Sequence, residues 1–411
     1  MPSKGTPVFL VAILTVAFGF LNVGVPAFAA SKETTPTSVG DNSASPIWPD
    51  WLEYGFGPQH LGLNPYEHVL GPETVAHVVE LWSNPNVGAS NFYWYLPQPV
   101  VTSGLVYYCG AGLCAIDIST GAIVWTALTD TDFWTNMPAV AGNMIYMGSP
   151  QTGILYALNA TTGDQIWTFQ TYATWDQPFS APTVVNGVVY FGAGDLIYAL
   201  DATTGVFLWT YPTEEYVSKS SPALANGMLY EASTTIAGYL YALNASTGEY
   251  IWSYPGGTST SPVISNGIVY FTPQDQNVSA LNADTGAFLW SFGDGQTIER
   301  TPVVDNGVLY VLSDSSTLYA LNAQTGSVLW KEHLGGGASE NPGHMAIANG
   351  VLYVPFNSID AFDASNGTLL YQSPEIGVDA ISVANGAIYA GASLNDTGVL
   401  YAFGLPTGEH F

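Results

Sequence analysis

Apolar and polar residues change places along this chain in short runs, rich in Val, Ile, Tyr, Thr and Trp and bounded by Gly. Runs of about five β-branched and aromatic residues predict strands and exclude helices. In the stretch Pro182 to Tyr190, Asn186-Gly187 divides two apolar halves, and 262–270 and 302–310 repeat the arrangement. Asn-Gly in that setting predicts a tight hairpin, because a primed turn needs positive φ. Gly192-Ala193-Gly194-Asp195 predicts a second turn, 196–200 a third strand, 201–205 a third turn, and Phe207-Leu208-Trp209 the start of a fourth strand. Asp or Asn opens that third turn by bonding its own backbone, and Gly closes it in the left-handed region.

The unit recurs. Leu155 to Gly163, followed by Trp167, returns at 197–205 with Trp209, 240–248 with Trp252, 278–286 with Trp290 and 318–326 with Trp330; an earlier copy at 113–121 ends on Trp125. The shared pattern is A-x-[DN]-x-x-T-G-x-x-x-W, and successive tryptophans stand 42, 42, 43, 38 and 40 positions apart. Four short antiparallel strands in about 40 residues is the size of a propeller blade. Inner-hairpin turns fall at Ser103, Gly142, Asn186, Asn226, Asn266, Asn306, Asn349 and Asn385, which makes eight. Strands with an aromatic anchor also make eight, from Trp82 to Tyr371, but are offset by one strand. A lone outer strand over 75–82 is therefore expected to complete the last blade, where the chain runs out after 407–411. The expected fold is all-β: an eight-bladed β-propeller of four-stranded antiparallel blades, the last blade closed by an N-terminal strand, so that the chain ends tie the ring.

These repeats resemble the PQQ-like, quinoprotein-type β-propellers, a family in which the Trp docks flat on the neighbouring blade. The stretch from Trp48-Pro49-Asp50-Trp51 to Asn64-Pro65 looks like the lead-in of such proteins. The resemblance covers about 48–411 and concerns the fold; as a packing device, the motif says little about function. Blade 7 departs from it with Asn366 for Thr and Tyr371 for Trp, and blade 8 with Gly404 for Asp/Asn and no Trp.

Ahead of the repeats, 1–30 reads as a secretory signal peptide, with Lys4 the only charge, an apolar run from Val8 to Val25, and Ala27-Phe28-Ala29 as an A-x-A cleavage pattern. An uncleaved membrane anchor is the alternative, and no Cys follows the run to support a lipoprotein signal. The Ser/Thr/Pro-rich 31–47 reads as a flexible spacer and 48–411 as the propeller. The expected mature protein is a secreted monomer, extracellular or on the cell-envelope exterior, with no transmembrane segment.

Charge narrows the partners. Five Lys and Arg stand against 32 Asp and Glu, for a formal net charge of −27. Without a basic footprint, nucleic acid is excluded. The missing cations suit acid exposure, since carboxylates with a pKa of about 4 are neutral near pH 2–3 and leave little positive self-repulsion. An ordinary secreted acidic protein is the alternative.

Candidate chemistry gathers on the loops leading into the inner strands. Two positions upstream of the strand-opening Pro or its substitute, the blades carry Pro97, Asn136, Ser180, Ser220, Thr260, Arg300, Gly343 and Asp379. Lys219 and Glu299 precede two of these, His344 follows a third, and Asp176, Trp134, Trp175 and Tyr216 share the loops. They predict a polar, aromatic-edged pocket at the channel mouth. Arg300, Lys219, His344, Asp176, Trp175 and Trp134 are its ligand-binding candidates, and Asp379 and Glu299 its candidate acids. The plainer alternative has Arg300 paired with a nearby carboxylate and the aromatics covering the loop bases. Cys109 and Cys114 bracket a tight turn and suggest a local disulfide, with two reduced thiols as the alternative. The histidines lack metal-ligand spacing, so no metal site is expected.

Three functions compete. Regular repeats without an acid–base constellation favour an extracellular binding or scaffold protein for a protein, glycan or small anionic ligand. The resemblance implies a dehydrogenase using pyrroloquinoline quinone and calcium as a second. Acid-stable tetrathionate hydrolases are similar propellers, which makes an acid-active hydrolase of an anionic sulfur compound the third.

Overall fold

Eight separate sheets follow one another along the chain. Blade 1 holds the strands of 100–127, blade 2 those of 139–170, blade 3 183–212, blade 4 223–255, blade 5 263–292, blade 6 303–333 and blade 7 346–372. Blade 8 takes three strands from 378–404 and its fourth, Val79–Asn84, from the other end of the chain. The structure is a computed structural model and describes residues 52–87, 97–109, 112–129, 137–173, 179–217, 220–234, 238–258, 260–273, 277–298, 300–335, 344–394 and 397–406. These fall in one compact unit, Trp48–Phe411. The expected leader and spacer at 1–47 lie outside the described residues, among which no helix is long and apolar enough to cross a membrane.

Within each blade the first strand is innermost, and the inner strands of blades 8 and 1 lie against each other, so the ring closes. Seven inner hairpins turn through two left-handed residues, as at Asn186 and Gly187 with φ of 51° and 78°. That is the geometry Asn-Gly supplies. Val79–Asn84 pairs antiparallel with Thr397–Gly404, from Val79 opposite Gly404 to Asn84 opposite Leu400. The closing strand thus starts later than the expected 75–82. Val75–His77 forms a 3-10 turn instead, with the Gly71 carbonyl accepting from both Thr74 and Val75.

Every outer strand carries a β-bulge just before its aromatic anchor. In blade 3, Trp209 pairs with Ala199 and Phe207 with Leu200, which leaves Leu208 unpaired. A bulge adds twist, and here it turns the indole onto the next blade. Trp209 Nε1 donates to the Ala245 carbonyl at 3.0 Å, and the Tyr190 hydroxyl donates to the same oxygen at 3.1 Å. The ring lies over Gly248, where φ is +72° and a Cβ would come within 2.7 Å of it. The repeated Thr-Gly therefore serves twice, for the turn and for the approach of the neighbour's Trp. Six joints, from blades 1 and 2 to blades 6 and 7, share this Trp, Tyr and Ala-carbonyl arrangement. Apolar clusters between facing sheets fill the spaces inside each joint.

The expected disulfide is corrected by register. Cys109 pairs with Leu113 and Cys114 with Tyr108, so the two cysteines point to opposite faces of blade 1. Cys109 is buried toward blade 2, where its thiol lies 3.6 Å from Met147 Sδ, and Cys114 is buried toward blade 8. Both are free thiols, and burial raises the pKa of each, that of Cys114 to about 11.

Candidate functional site at the channel mouth

An inner strand presents unpaired N–H groups to the channel, and these need partners. The lead-in supplies them. In six blades the middle residue of the inner strand donates to this single segment. Val140 bonds Leu52 O, Val184 bonds Glu53 Oε2, Leu224 bonds Pro58 O, Ile264 bonds Gln59 O, Val304 bonds Leu61 O and Ile347 bonds Gly62 O, at 2.6–3.1 Å. Leu63–Asn64 then adds a short parallel strand to blade 7, and Asn64 Nδ2 reaches Val383 O of blade 8 at 2.8 Å. Blade 1 joins through Gln98, which accepts from Gly55 N and donates to Ile381 O. The segment winds tightly against the wall. Gly62, at φ +66°, has the Val303 side chain 2.7 Å from where a Cβ would stand.

The channel mouth is built around Tyr54, which is 4% exposed. Its hydroxyl lies 2.5 Å from Thr301 Oγ1 and 3.0 Å from His344 Nδ1. Its ring meets His60 and His344 edge-on, at 4.9 and 4.7 Å. Thr301 and His344 stand one residue before the strand-opening position, and Ser221 and Ser261 stand there in blades 4 and 5. Ser261 Oγ accepts from Ser221 N, and Thr301 Oγ1 from Ser261 N. His60 Nδ1 faces the Pro262 carbonyl at 3.2 Å, so that nitrogen carries the proton. Burial holds both imidazoles neutral, lowering the pKa of His60 to about 3 and that of His344 to about 4. Burial raises that of Glu53 to about 8, against the opposing pull of the Val184 N–H.

The sequence-predicted level is one residue out of step. Ser180 Oγ accepts from Gly192 N, Ser220 Oγ from Ala232 N, and Thr260 Oγ1 meets Thr272 Oγ1 at 2.6 Å, so these side chains latch onto their own blades. Strand side chains alternate in direction, and a slip of one residue exchanges channel for blade interior. Arg300 is 8% exposed and stands 3.9 Å from Asp314 Oδ1, which matches the plainer alternative for that residue. Of the candidates, His344 alone is in the channel ring among the described residues. Lys219, Glu299, Asp176, Trp175 and Trp134 lie outside the described residues.

Asp379 sits elsewhere, as the bulged residue of Val378–Ala384, half-buried between blades 8 and 1. Burial raises its pKa to about 7. Its charge bears on the Tyr108 hydroxyl, which is fully buried with no hydrogen-bond partner. A carboxyl that holds its proton up to about pH 7 is in the protonation state a general acid needs.

Sequence reasoning missed two features. Tyr54, Glu53 and His60 belong to no repeat and carry no spacing signal. Glu231 is 0% exposed, and neither of its oxygens has a hydrogen-bond partner. Burial drives its pKa well above the carboxylate range, with nearby Ser220 pulling the other way. Glu231 was legible: aligned blades place Met147, Phe191, Phe271 and Val311 at the same position.

A quinone tricarboxylate calls for cations facing it. At the described part of the mouth the Ser261 and Thr301 hydroxyls already accept neighbouring N–H groups, both imidazoles are neutral, and Arg300 faces Asp314. These residues do not fit the group.

A family model for PQQ-type repeats, described as outer membrane protein assembly factor BamB, matches residues 80–218 and 193–409. The chain belongs to this family. Among curated relatives of this PQQ-like repeat propeller, the quinoprotein alcohol dehydrogenase PedH of Pseudomonas putida is 41% identical over 59 residues, 14% of this chain and 10% of PedH. The tetrathionate hydrolase of Acidithiobacillus ferrooxidans is 26% identical over 154 residues, 33% of this chain and 30% of that protein. The matches thus span less than a third of the relatives' own lengths. The crystal structure of quinohemoprotein alcohol dehydrogenase from Comamonas testosteroni superimposes with a TM-score of 0.70 at 15% identity, over 88% of this chain and 82% of that one. BamB from Moraxella catarrhalis superimposes with a TM-score of 0.65 at 16% identity, over 80% of this chain and all of that one. At such identities these structures speak for the fold alone.

Proposed function

We propose that this PQQ-like repeat propeller is an exported binding scaffold that works without a bound quinone. The observation that carries the reading is the filled hub. One segment of the chain takes up the inner-strand N–H groups of six blades, and Tyr54 closes the mouth by bonding Thr301 and His344. Recognition then falls to the loops around the mouth, whose partner is a protein or glycan. With a formal charge of −27, association with a cationic partner surface is steered by charge and weakens with salt. Export rests on the leader pattern of 1–30. The test is to incubate the purified chain with pyrroloquinoline quinone and calcium, remove free quinone and record its absorption. The scaffold reading expects no quinone retained, and one quinone per chain would end it.

A second reading is acid-active hydrolysis of an anionic sulfur compound. The match to a tetrathionate hydrolase is longer than that to PedH, and Asp379 holds a proton up to about pH 7. Turnover of tetrathionate between pH 1 and 7, abolished in Asp379→Asn, would favour it over the scaffold. No turnover would remove it.

A further inference from the structure

At six joints a second-strand Tyr hydroxyl donates to the next blade's Ala carbonyl; at the joint of blades 7 and 8 that arrangement stops. Tyr353 occupies the equivalent place, 0% exposed, and its hydroxyl has no partner. Blade 8 ends its third strand at Gly404 and carries Leu405 where blades 2 to 7 have that Ala, and the Leu405 carbonyl does not take up the Tyr353 hydroxyl. A second orphan lies at the inner turn of blade 8, where Asn385 Oδ1 is buried with no partner. The matching Asn186, Asn226, Asn266, Asn306 and Asn349 are exposed, whereas Asn385 is half-covered. The cover comes from the stretch after the lead-in, which brings Val69 against Gly386.

That stretch also brings a charge. Glu67 is 1% exposed. Its Oε1 accepts from Val69 N and Leu70 N, and its Oε2 accepts from Gly386 N, next to Asn385, at 2.9 Å. Its negative charge bears on the hydroxyls of both Tyr353 and Tyr389. The described cations are Arg300, which faces Asp314, and Lys331 on the outer strand of blade 6. A buried carboxylate needs a counter-charge, and buried orphaned oxygens need a ligand.

We infer that Glu67, Asn385 and Tyr353 form a site for one hard cation of the calcium type at the joint of blades 7 and 8. A carboxylate and a carboxamide oxygen are donors such an ion takes, the Tyr353 hydroxyl adds a third oxygen, and one formal charge places the ion among weak sites, with a Kd of about 0.1–1 mM. The ion replaces the missing hydrogen bond as the fastener between the blade that ends the repeats and the strand that closes the ring. This inference does not depend on the scaffold reading, and the site is separate from the channel mouth.

The experiment compares thermal unfolding and calcium titration calorimetry of the full chain after EDTA treatment and after calcium addition. Wild type is expected to bind one calcium saturably and to melt higher with it. Asn385→Gly keeps the left-handed turn but removes the oxygen, and should weaken calcium binding about tenfold or more. Glu67→Gln should abolish the calcium-dependent shift, and Tyr353→Phe should reduce it. Asp117→Asn, on the outer turn of blade 1, controls for loose binding to a heavily acidic surface and should leave the calcium-dependent shift unchanged. If Glu67→Gln does not fold, the other two variants carry the test. An unchanged calcium response in Asn385→Gly and Tyr353→Phe overturns the site, as does wild type without a saturable response, the result expected of a buried water alone.

Discussion

Each of the eight sheets ends in two open edges, one at the rim and one at the channel, and the chain closes them in opposite ways. The rim is handled locally. Every outer strand is bulged, and seven of them send a Trp onto the next blade, so a fault in one fastener concerns two blades. The hub is handled once, by 13 residues from Leu52 to Asn64 that repeat nothing and touch every blade. Stability in a ring of repeats is a sum of blades and neighbour contacts. The hub segment adds a cooperative connection among all of them.

Gly62→Val should do the hub the most damage. A β-branched residue in the left-handed region costs up to about 3 kcal/mol. The clash with Val303 adds about 2 kcal/mol of overpacking. Its signature is spatial. The amides of Val140 and Leu224, in blades 2 and 4, should lose hydrogen-exchange protection together with those of Ile264, Val304 and Ile347 in the blades around Gly62. If protection is lost in blades 5 to 7 alone, the hub is not one unit.

Trp209→Ala tests the rim and should cost about 4 kcal/mol, the range for removing a large buried aromatic. The Ala245 carbonyl keeps its bond from Tyr190, which limits the damage. Exchange should quicken in blades 3 and 4 and stay slow in blades 7 and 8. A uniform loss around the ring would erase the distinction between rim and hub.

Acidity separates the two regions again. Glu53 has a folded pKa near 8 against an ordinary 4.5, so its contribution is complete below pH 4.5 and is lost as pH rises through 8. Asp379 acts in the same sense up to about 7. His60 and His344 have folded values near 3 and 4 against an ordinary 6.5, so theirs is complete above 6.5 and is lost as pH falls through 4 and 3. The melting temperature should therefore be highest between pH 4.5 and 6.5 and fall on both sides. On the acid side the rim contributes as well, because Asp117, Asp201 and Asp363 are held below the usual carboxylate range chiefly by side-chain hydrogen bonds from Ser119, Thr204 and Ser365. A melting temperature still rising below pH 3 would mean that the hub histidines are not buried neutral, and would favour life in strong acid.

The rim was legible in the sequence because every part of it repeats. Asn-Gly fixes the inner turn, Asp or Asn with Thr-Gly fixes the outer turn, and the Trp spacing fixes the blade. The offset between turns and anchors also exposed the closing strand. The hub was not legible, because Tyr54 and His60 act through residues more than 100 positions away, with no period to betray them. The mouth residues were missed by one position for a related reason. Alternation says that neighbours face opposite ways, but only the fold says which way is the channel. Register likewise undid the cysteine pair, whose short spacing is compatible with a bridge only when both side chains share a face.

Glu231 is where the repeat's logic is broken from within the wall of a blade, and it gives the smallest and most diagnostic change. It lies opposite Tyr241, as Met147 lies opposite Tyr156 in blade 2. Glu231→Met would install the residue another blade already uses, of similar length and without a polar group to bury. An unpaired buried carboxyl costs about 1–3 kcal/mol, so the variant should be more stable by about 2 kcal/mol. Because the buried carboxyl stays protonated well above the ordinary range, it takes up a proton on folding. The gain should therefore grow as pH rises from 4.5 and the unfolded chain gives up that proton. Chemical denaturation at pH 5 and pH 8 measures both the sign and the trend. A loss of stability at either pH would mean that Glu231 has a partner in solution, and that this blade wall, like the hub, was shaped by something other than the repeat.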